Sequence, residues 1–245
     1  MSASLPGWDL GELTYDGVTR PVYRRGTGPG VVVIHEIPGV TPAVRAFAEE
    51  VVDAGFTVAM PSLFGTPGKA PSVPYLLGQV ARACVSREFS TWALGRTSPA
   101  TVWCRALARD LHEELGGPGV GAVGMCLTGG FALAMMVDAH TVAPVLSQPS
   151  LPFAVSRARG ADLGLSPADL DAVVARTDCP VLGLRYTGDR AVGTRFATLQ
   201  QVLGDRFRAV EFPSVSPRDH SVLTEQRQAA GVRAVLDFFA ERLRP

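Results

Sequence analysis

One cysteine stands where a thiol can act as a nucleophile. Cys126 lies in Val120-Gly-Ala-Val-Gly-Met-Cys126-Leu-Thr-Gly-Gly130. An apolar run leads into one reactive residue flanked by glycines, and a helix is expected to follow at once. This is the nucleophile-elbow pattern, with cysteine where serine is usual. The turn is tight enough that large neighbours would collide. Gly124 removes a side chain before it, and Gly129 and Gly130 let the chain pack closely behind it. A thiol at a helix N-terminus favours its thiolate form. Thr128 departs from the pattern, which has a small residue two positions after the nucleophile. The competing reading is a structural cysteine buried in an ordinary strand–turn–helix.

Two further residues fit the elbow. In such proteins the chain order is nucleophile, acid, histidine, with both partners after later strands. The run Val181 to Tyr186 leads into Thr187-Gly188-Asp189, and Phe207 to Phe212 leads on to His220-Ser221. His220 would act as general base and then general acid, and Asp189 would orient its ring. Alone, Asp189 reads as a turn aspartate and His220 as a surface histidine. Their joint placement favours the triad. Glu36 follows the apolar run Gly30 to His35 and is a third candidate, against a plain polar residue at a strand end. His35 itself reads as a support for Glu36. His112 and His140 read as solvated helix histidines.

The elements that must carry these residues alternate. Residues 10–24 read as a hairpin about Asp16-Gly17. Strands are expected at Gly30 to His35, Phe56 to Met60, Val120 to Met125, Val142 to Leu146, Val181 to Tyr186 and Phe207 to Phe212. Helices are expected over Pro42 to Ala54, 75–85, Pro99 to Leu115, Leu127 to Ala139, 167–176, 192–203 and Thr224 to Leu243. Thr41-Pro42 is an N-cap with proline at the first helical position. The alternation predicts an α/β fold, a mostly parallel sheet of about seven to eight strands with helices on both faces. A single domain over 1–245 is expected. Reactive groups then belong at the carboxyl ends of the strands.

Composition narrows the class. The chain has 245 residues, nearly half apolar, with 23 basic against 23 acidic side chains. No basic surplus argues for nucleic acid. Met1 to Asp9 lacks a signal-peptide pattern, and no apolar stretch nears the roughly 18 residues of a membrane helix. A cytoplasmic protein is the expectation. Cys84, Cys104, Cys126 and Cys179 are too scattered for a disulfide framework or a paired zinc motif, and no metal site is expected. Gly26-Thr-Gly28-Pro-Gly30 precedes a strand, so it is no dinucleotide fingerprint. Gly68-Lys69 lacks the rest of a P-loop.

The segments His35-Glu36-Ile37-Pro38-Gly39-Val40, Gly124-Met125-Cys126-Leu127, Gly188-Asp189-Arg190-Ala191-Val192 and His220-Ser221 together resemble the dienelactone hydrolase family, from about residue 20 to 243. The resemblance implies an α/β-hydrolase, monomer or homodimer, with no cofactor. It implies a small-molecule ester or lactone as substrate. The family's type activity, carboxymethylenebutenolidase, opens an enol-lactone to maleylacetate. The resemblance gives Glu36 contact with the thiol and gives the backbone N–H groups of Ile37 and Leu127 as the oxyanion hole. A carboxylate there can hold Cys126 neutral at rest. Family members clamp a substrate carboxylate with arginines, one shortly after the histidine. Here Ser221-Val222-Leu223-Thr224 offers none, which puts dienelactone itself in doubt. Arg87, Ser221 and Arg218 are the candidates for substrate contact. Thioesterase or acyl-transfer chemistry on the same triad, and a non-catalytic binding protein, are the alternatives.

Overall fold

The computed structural model describes residues 4–90 and 92–244. Strand β1 (Asp9–Tyr15) turns through Asp16 and Gly17, both at positive φ (48° and 72°), into the antiparallel β2 (Val18–Arg25). Positive φ at both positions gives a hairpin turn whose twist matches its strands. Then come β3 (Gly30–Ile34), α1 (Pro42–Asp53), β4 (Thr57–Pro61), α2 (Val73–Val85) and α3 (Pro99–Leu115). The chain continues through β5 (Val120–Met125), α4 (Phe131–Met135), β6 (Thr141–Ser147), α5 (Arg157–Ala161) and α6 (Pro167–Ala175). It ends with β7 (Val181–Tyr186), α7 (Arg195–Leu203), β8 (Phe207–Phe212) and α8 (Ala229–Leu243).

All eight strands form one sheet in the order β1-β2-β4-β3-β5-β6-β7-β8. From β4 to β8 every pairing is parallel. The α/β architecture expected from the alternation is the one observed. Side chains of β3 alternate between two cores, as a strand period of two requires. Val31 and Val33 belong to the core shared with α1 and α8 on one face, while Val32 and Ile34 belong to the core shared with α3, α4 and α7 on the other. Chain order reverses between β3 and β5: β4 lies on one side of β3, and β5 with its successors on the other. In open α/β sheets that reversal leaves a crevice at the strand ends. Ile34 pairs with Gly124, so Glu36 and Cys126, each two residues further on, emerge side by side.

Local sequence explains most boundaries. Thr41 accepts from Val44 N–H at 3.2 Å and Ser98 from Thr101 N–H at 3.1 Å, capping α1 and α3 ahead of their prolines. Three expectations are corrected. The helix after the elbow is not continuous from Leu127 to Ala139. A 3-10 turn, Cys126–Thr128, precedes the short α4, and Arg105 and Arg176 then take up the carbonyls of Ala134, Met136 and Asp138. The last helix starts at Ala229 rather than Thr224, because residues 221–228 are folded into turns. Ser156 caps α5, a short helix for which no element was expected between Leu146 and residue 167.

Arg195, at the start of α7, is almost fully buried (1% exposed). Its guanidinium donates to the carbonyls of Asp162, Ala191, Val192, Arg159 and Pro152. Burial lowers its pKa to about 10, partly offset by Asp162. One side chain thus joins the loop that carries Asp189 to the segment after β6. Arg195→Met is expected to cost roughly 3 kcal/mol or more, since it orphans several buried carbonyls. Arg195→Lys should recover under half of that, because an ammonium lacks the planar fork. Urea unfolding reads both, and a loss below about 1 kcal/mol for Arg195→Met would contradict this role.

Candidate active site

Cys126 sits at φ 55°, a left-handed conformation rarely adopted by a residue with a side chain. Its surroundings hold it there. A Cβ on Gly124 would lie 2.1 Å from the Thr128 carbonyl oxygen, so only glycine allows the chain to fold back so closely. A Cβ on Gly129 would lie 2.5 Å from Pro149 Cα. The Cys126 carbonyl accepts from Gly129 N–H and Ser150 N–H, both at 2.9 Å. Thr128, out of place in the sequence pattern, has a clear task here. It is fully buried, and its hydroxyl accepts from Met125 N–H at 3.1 Å. The same hydroxyl lies 3.2 Å from the Ile34 carbonyl, 3.1 Å from that of His35 and 3.1 Å from that of Met125, to any one of which it can donate. It fastens the elbow to the end of β3.

The structure brings Cys126, His220, Asp189 and Glu36 together. His220 Nδ1 lies 2.7 Å from Asp189 Oδ2, and Asp189 Oδ1 accepts from Ala191 N–H at 3.0 Å. Cys126 Sγ, a His220 ring nitrogen and a Glu36 carboxyl oxygen lie within 4.8 Å of one another. Burial works against a charge on His220. The Cys126 thiolate and the Asp189 carboxylate outweigh it and push the imidazole up to about 11.

Glu36 is buried, and both of its oxygens are engaged. Ser221 Oγ donates to Oε2 at 2.8 Å, Gln148 Nε2 donates to the same oxygen at 3.2 Å, and Thr224 Oγ1 donates to Oε1. Burial raises its pKa, and the Thr224 and Ser221 hydroxyls hold part of that rise back. The expected contact with the thiol is therefore a proximity, while the hydrogen bonds go elsewhere. His35 braces the same turn. Its Nδ1 lies 3.0 Å from the Glu36 carbonyl, and its Nε2 accepts from Leu63 N–H at 3.0 Å. Burial lowers its pKa to about 4, with Arg20 adding to the fall and the Glu36 carbonyl opposing it. It is a neutral support, as its position suggested. Carboxylate, thiol and imidazole are zinc-ligand types. Three of the roughly four lone-pair directions of the Glu36 carboxyl already accept hydrogen bonds.

A cavity of about 440 Å³ opens above Cys126, lined by Glu36, Ile37, Leu127, His220 and Ser221 among others. The N–H groups of Ile37 and Leu127 are used by no turn, cap or side chain among the described residues. Of the three residues expected to touch substrate, Ser221 lines the cavity. Arg87 lines a separate cleft with Arg96 and Trp92, and Arg218 lines a recess with Arg190 that adjoins the cavity through Ala191 and His220. Gln148, Ser150, Thr224, Leu76 and Val80 were not singled out in the sequence. Gln148 follows a parallel strand, the same positional signal that marked Glu36.

The dienelactone hydrolase family profile matches residues 18–241. This chain belongs to that family. Similar solved structures cover nearly all of it at low identity. A dienelactone hydrolase from Anabaena variabilis has a TM-score of 0.62 at 18% identity, covering 97% of this chain and 98% of its own. A cold-adapted esterase from an Arctic intertidal metagenomic library has 0.61 at 15%, covering 99% and 97%. The thioesterase domain from the curacin biosynthetic pathway has 0.58 at 11%, covering 96% and 99%. At such identities these likenesses establish the α/β-hydrolase fold. No curated protein sequence matches the chain. No helix among the described residues is long and apolar enough to cross a membrane.

Two measurements test this geometry. Thr128→Val keeps the shape but orphans Met125 N–H, and should cost about 1–3 kcal/mol in urea unfolding. Alkylating Cys126 removes the charge that does most to hold the His220 proton. The imidazole, followed by NMR of ring-labelled histidine, should stay protonated through neutral pH in the free enzyme and titrate at lower pH after alkylation. Identical titrations before and after would contradict the coupling.

Proposed function

We propose that this protein hydrolyses carboxylic esters or lactones of small molecules through Cys126, His220 and Asp189. One observation carries the reading. A cysteine held at positive φ on a strand-to-helix elbow faces a histidine whose other nitrogen is hydrogen-bonded to a buried aspartate.

The chemistry follows from the charges. The Cys126 thiolate attacks the substrate carbonyl carbon, and the carbonyl π pair moves onto oxygen. The N–H groups of Ile37 and Leu127 receive that oxyanion. As the tetrahedral adduct collapses, His220 gives its proton to the departing alkoxide, and a thioester to Cys126 remains. The thiolate charge is now gone, so the main influence holding His220 protonated is gone with it. Neutral imidazole can then take a proton from water as the water attacks the thioester. The second collapse releases the carboxylic acid and restores the thiolate–imidazolium pair. Asp189 keeps the ring oriented and stabilises its charged form throughout. Glu36 positions the loop of His220 through Ser221 and Thr224.

Cys126→Ala and His220→Ala are expected to reduce hydrolysis of p-nitrophenyl butyrate to background. Asp189→Asn should lower kcat by about 10²–10⁴-fold with little change in KM. Turnover persisting in Cys126→Ala would sink the mechanism.

A further inference from the structure

The walls of the cavity say which substrates it suits. Its roof comes from α2 and the segment before it: Leu76 and Val80, one helical turn apart, project into it beside Pro71. Phe153 and Ile37 add further apolar lining. Among the described residues no lysine or arginine lines it. Two of the arginines nearby are paired with carboxylates. Arg227 is paired with Glu50 at 2.6 Å, and Arg20 with Glu88 at 3.0 Å. Arg190 and Arg218 do not line the cavity itself but a neighbouring recess that shares Ala191 and His220 with it, and Arg87 and Arg96 line a separate cleft.

The charges that do face the cavity are mostly negative. Glu225 stands exposed at its edge, and Glu36 lies in its wall with both oxygens already bonded. The His220 ring already has the Asp189 carboxyl at 2.7 Å, so it is not an unpaired cation offered to a substrate anion. A substrate carboxylate entering here would lose its hydration, find no lysine or arginine among the described lining residues, and face Glu225. Burying an unpaired charge is costly, whereas an alkyl chain gains from the same apolar walls.

We propose that the substrate is an uncharged ester or lactone with an apolar acyl group seated on Leu76, Val80 and Phe153, and that Glu225 turns anionic esters away. The proposal rests on the hydrolase reading above. It assigns this chain a substrate class opposite in charge character to one that needs an arginine clamp.

Two p-nitrophenyl esters of nearly equal length make the test: the pentanoate, and the monoester of glutaric acid, which ends in a carboxylate instead of a methyl group. In the wild type the pentanoate should be preferred by about 100-fold in kcat/KM. Glu225→Gln should narrow that ratio by about 3-fold and Glu225→Arg by about 10-fold, through a gain on the glutarate ester. Leu76→Ala and Val80→Ala should each lower kcat/KM for the pentanoate by about 5-fold but for the acetate by less than about 2-fold, since acetate cannot reach them. Equal use of the two esters, or preference for the glutarate ester, would overturn the proposal while leaving the hydrolase reading intact. A ratio indifferent to both Glu225 variants would remove Glu225 from it. Turnover of neither ester by the wild type would take down the hydrolase reading and this proposal together.

Discussion

The carboxyl of Glu36 ties three strand ends of the sheet together. It leaves the end of β3 and accepts from Gln148 at the end of β6 and from Ser221 and Thr224 in the turns after β8. Gln148 in turn accepts from Val222 N–H at 3.3 Å. Parallel strand ends leave backbone groups that must find partners. A buried acid with several neutral donors supplies directional contacts where the hydrophobic effect cannot. Ser221 and His220 are adjacent in the chain, so fixing Ser221 on Glu36 also fixes where the imidazole stands over Cys126.

A second constraint acts from the other side of the elbow. Cys126 occupies a backbone conformation that costs on the order of 1–3 kcal/mol. That strain is sustained by contacts which a larger or less polar residue would break: the close approach at Gly124, the hydroxyl of Thr128, and the two N–H groups on the Cys126 carbonyl. Both constraints meet at the reversal between β3 and β5. Topology brings the thiol and the carboxyl together, and the side chains then decide that the thiol couples to His220 while the carboxyl is held by Ser221, Thr224 and Gln148.

How far the sequence carried this depends on what each residue does. Strand ends were legible because apolar runs are bounded by glycine and proline, and the topology rule then pointed to Glu36, Cys126, Asp189 and His220. Thr128 was misread because the elbow pattern speaks only of steric size, while its hydroxyl bonds to residues over 90 positions away in the chain. The last helix was expected to start at Thr224, but that hydroxyl is spent on Glu36 and the helix begins five residues later. Gln148 carries no chemical signal of its own. The arginines mislead for a related reason. Arg87 and Arg218 have the right charge, but nothing local in the sequence fixes which recess a loop side chain enters.

Arg195 and Glu36 form an instructive pair. Each is a buried ionisable group, and neither is neutralised by an opposite charge in contact with it. Arg195 donates to five backbone carbonyls, and Glu36 accepts from two hydroxyls and an amide. An ion pair would satisfy charge at one point. A charged or strongly polar group surrounded by neutral dipoles satisfies many groups at once and fixes several segments relative to one another. One of these ties holds the loop of Asp189, and the other holds the loop of His220. The 2.7 Å contact between those two residues is thus set by two separate anchors, one on each side. Desolvation makes each tie costly, and the gain is an orientation of the imidazole that does not depend on what occupies the cavity.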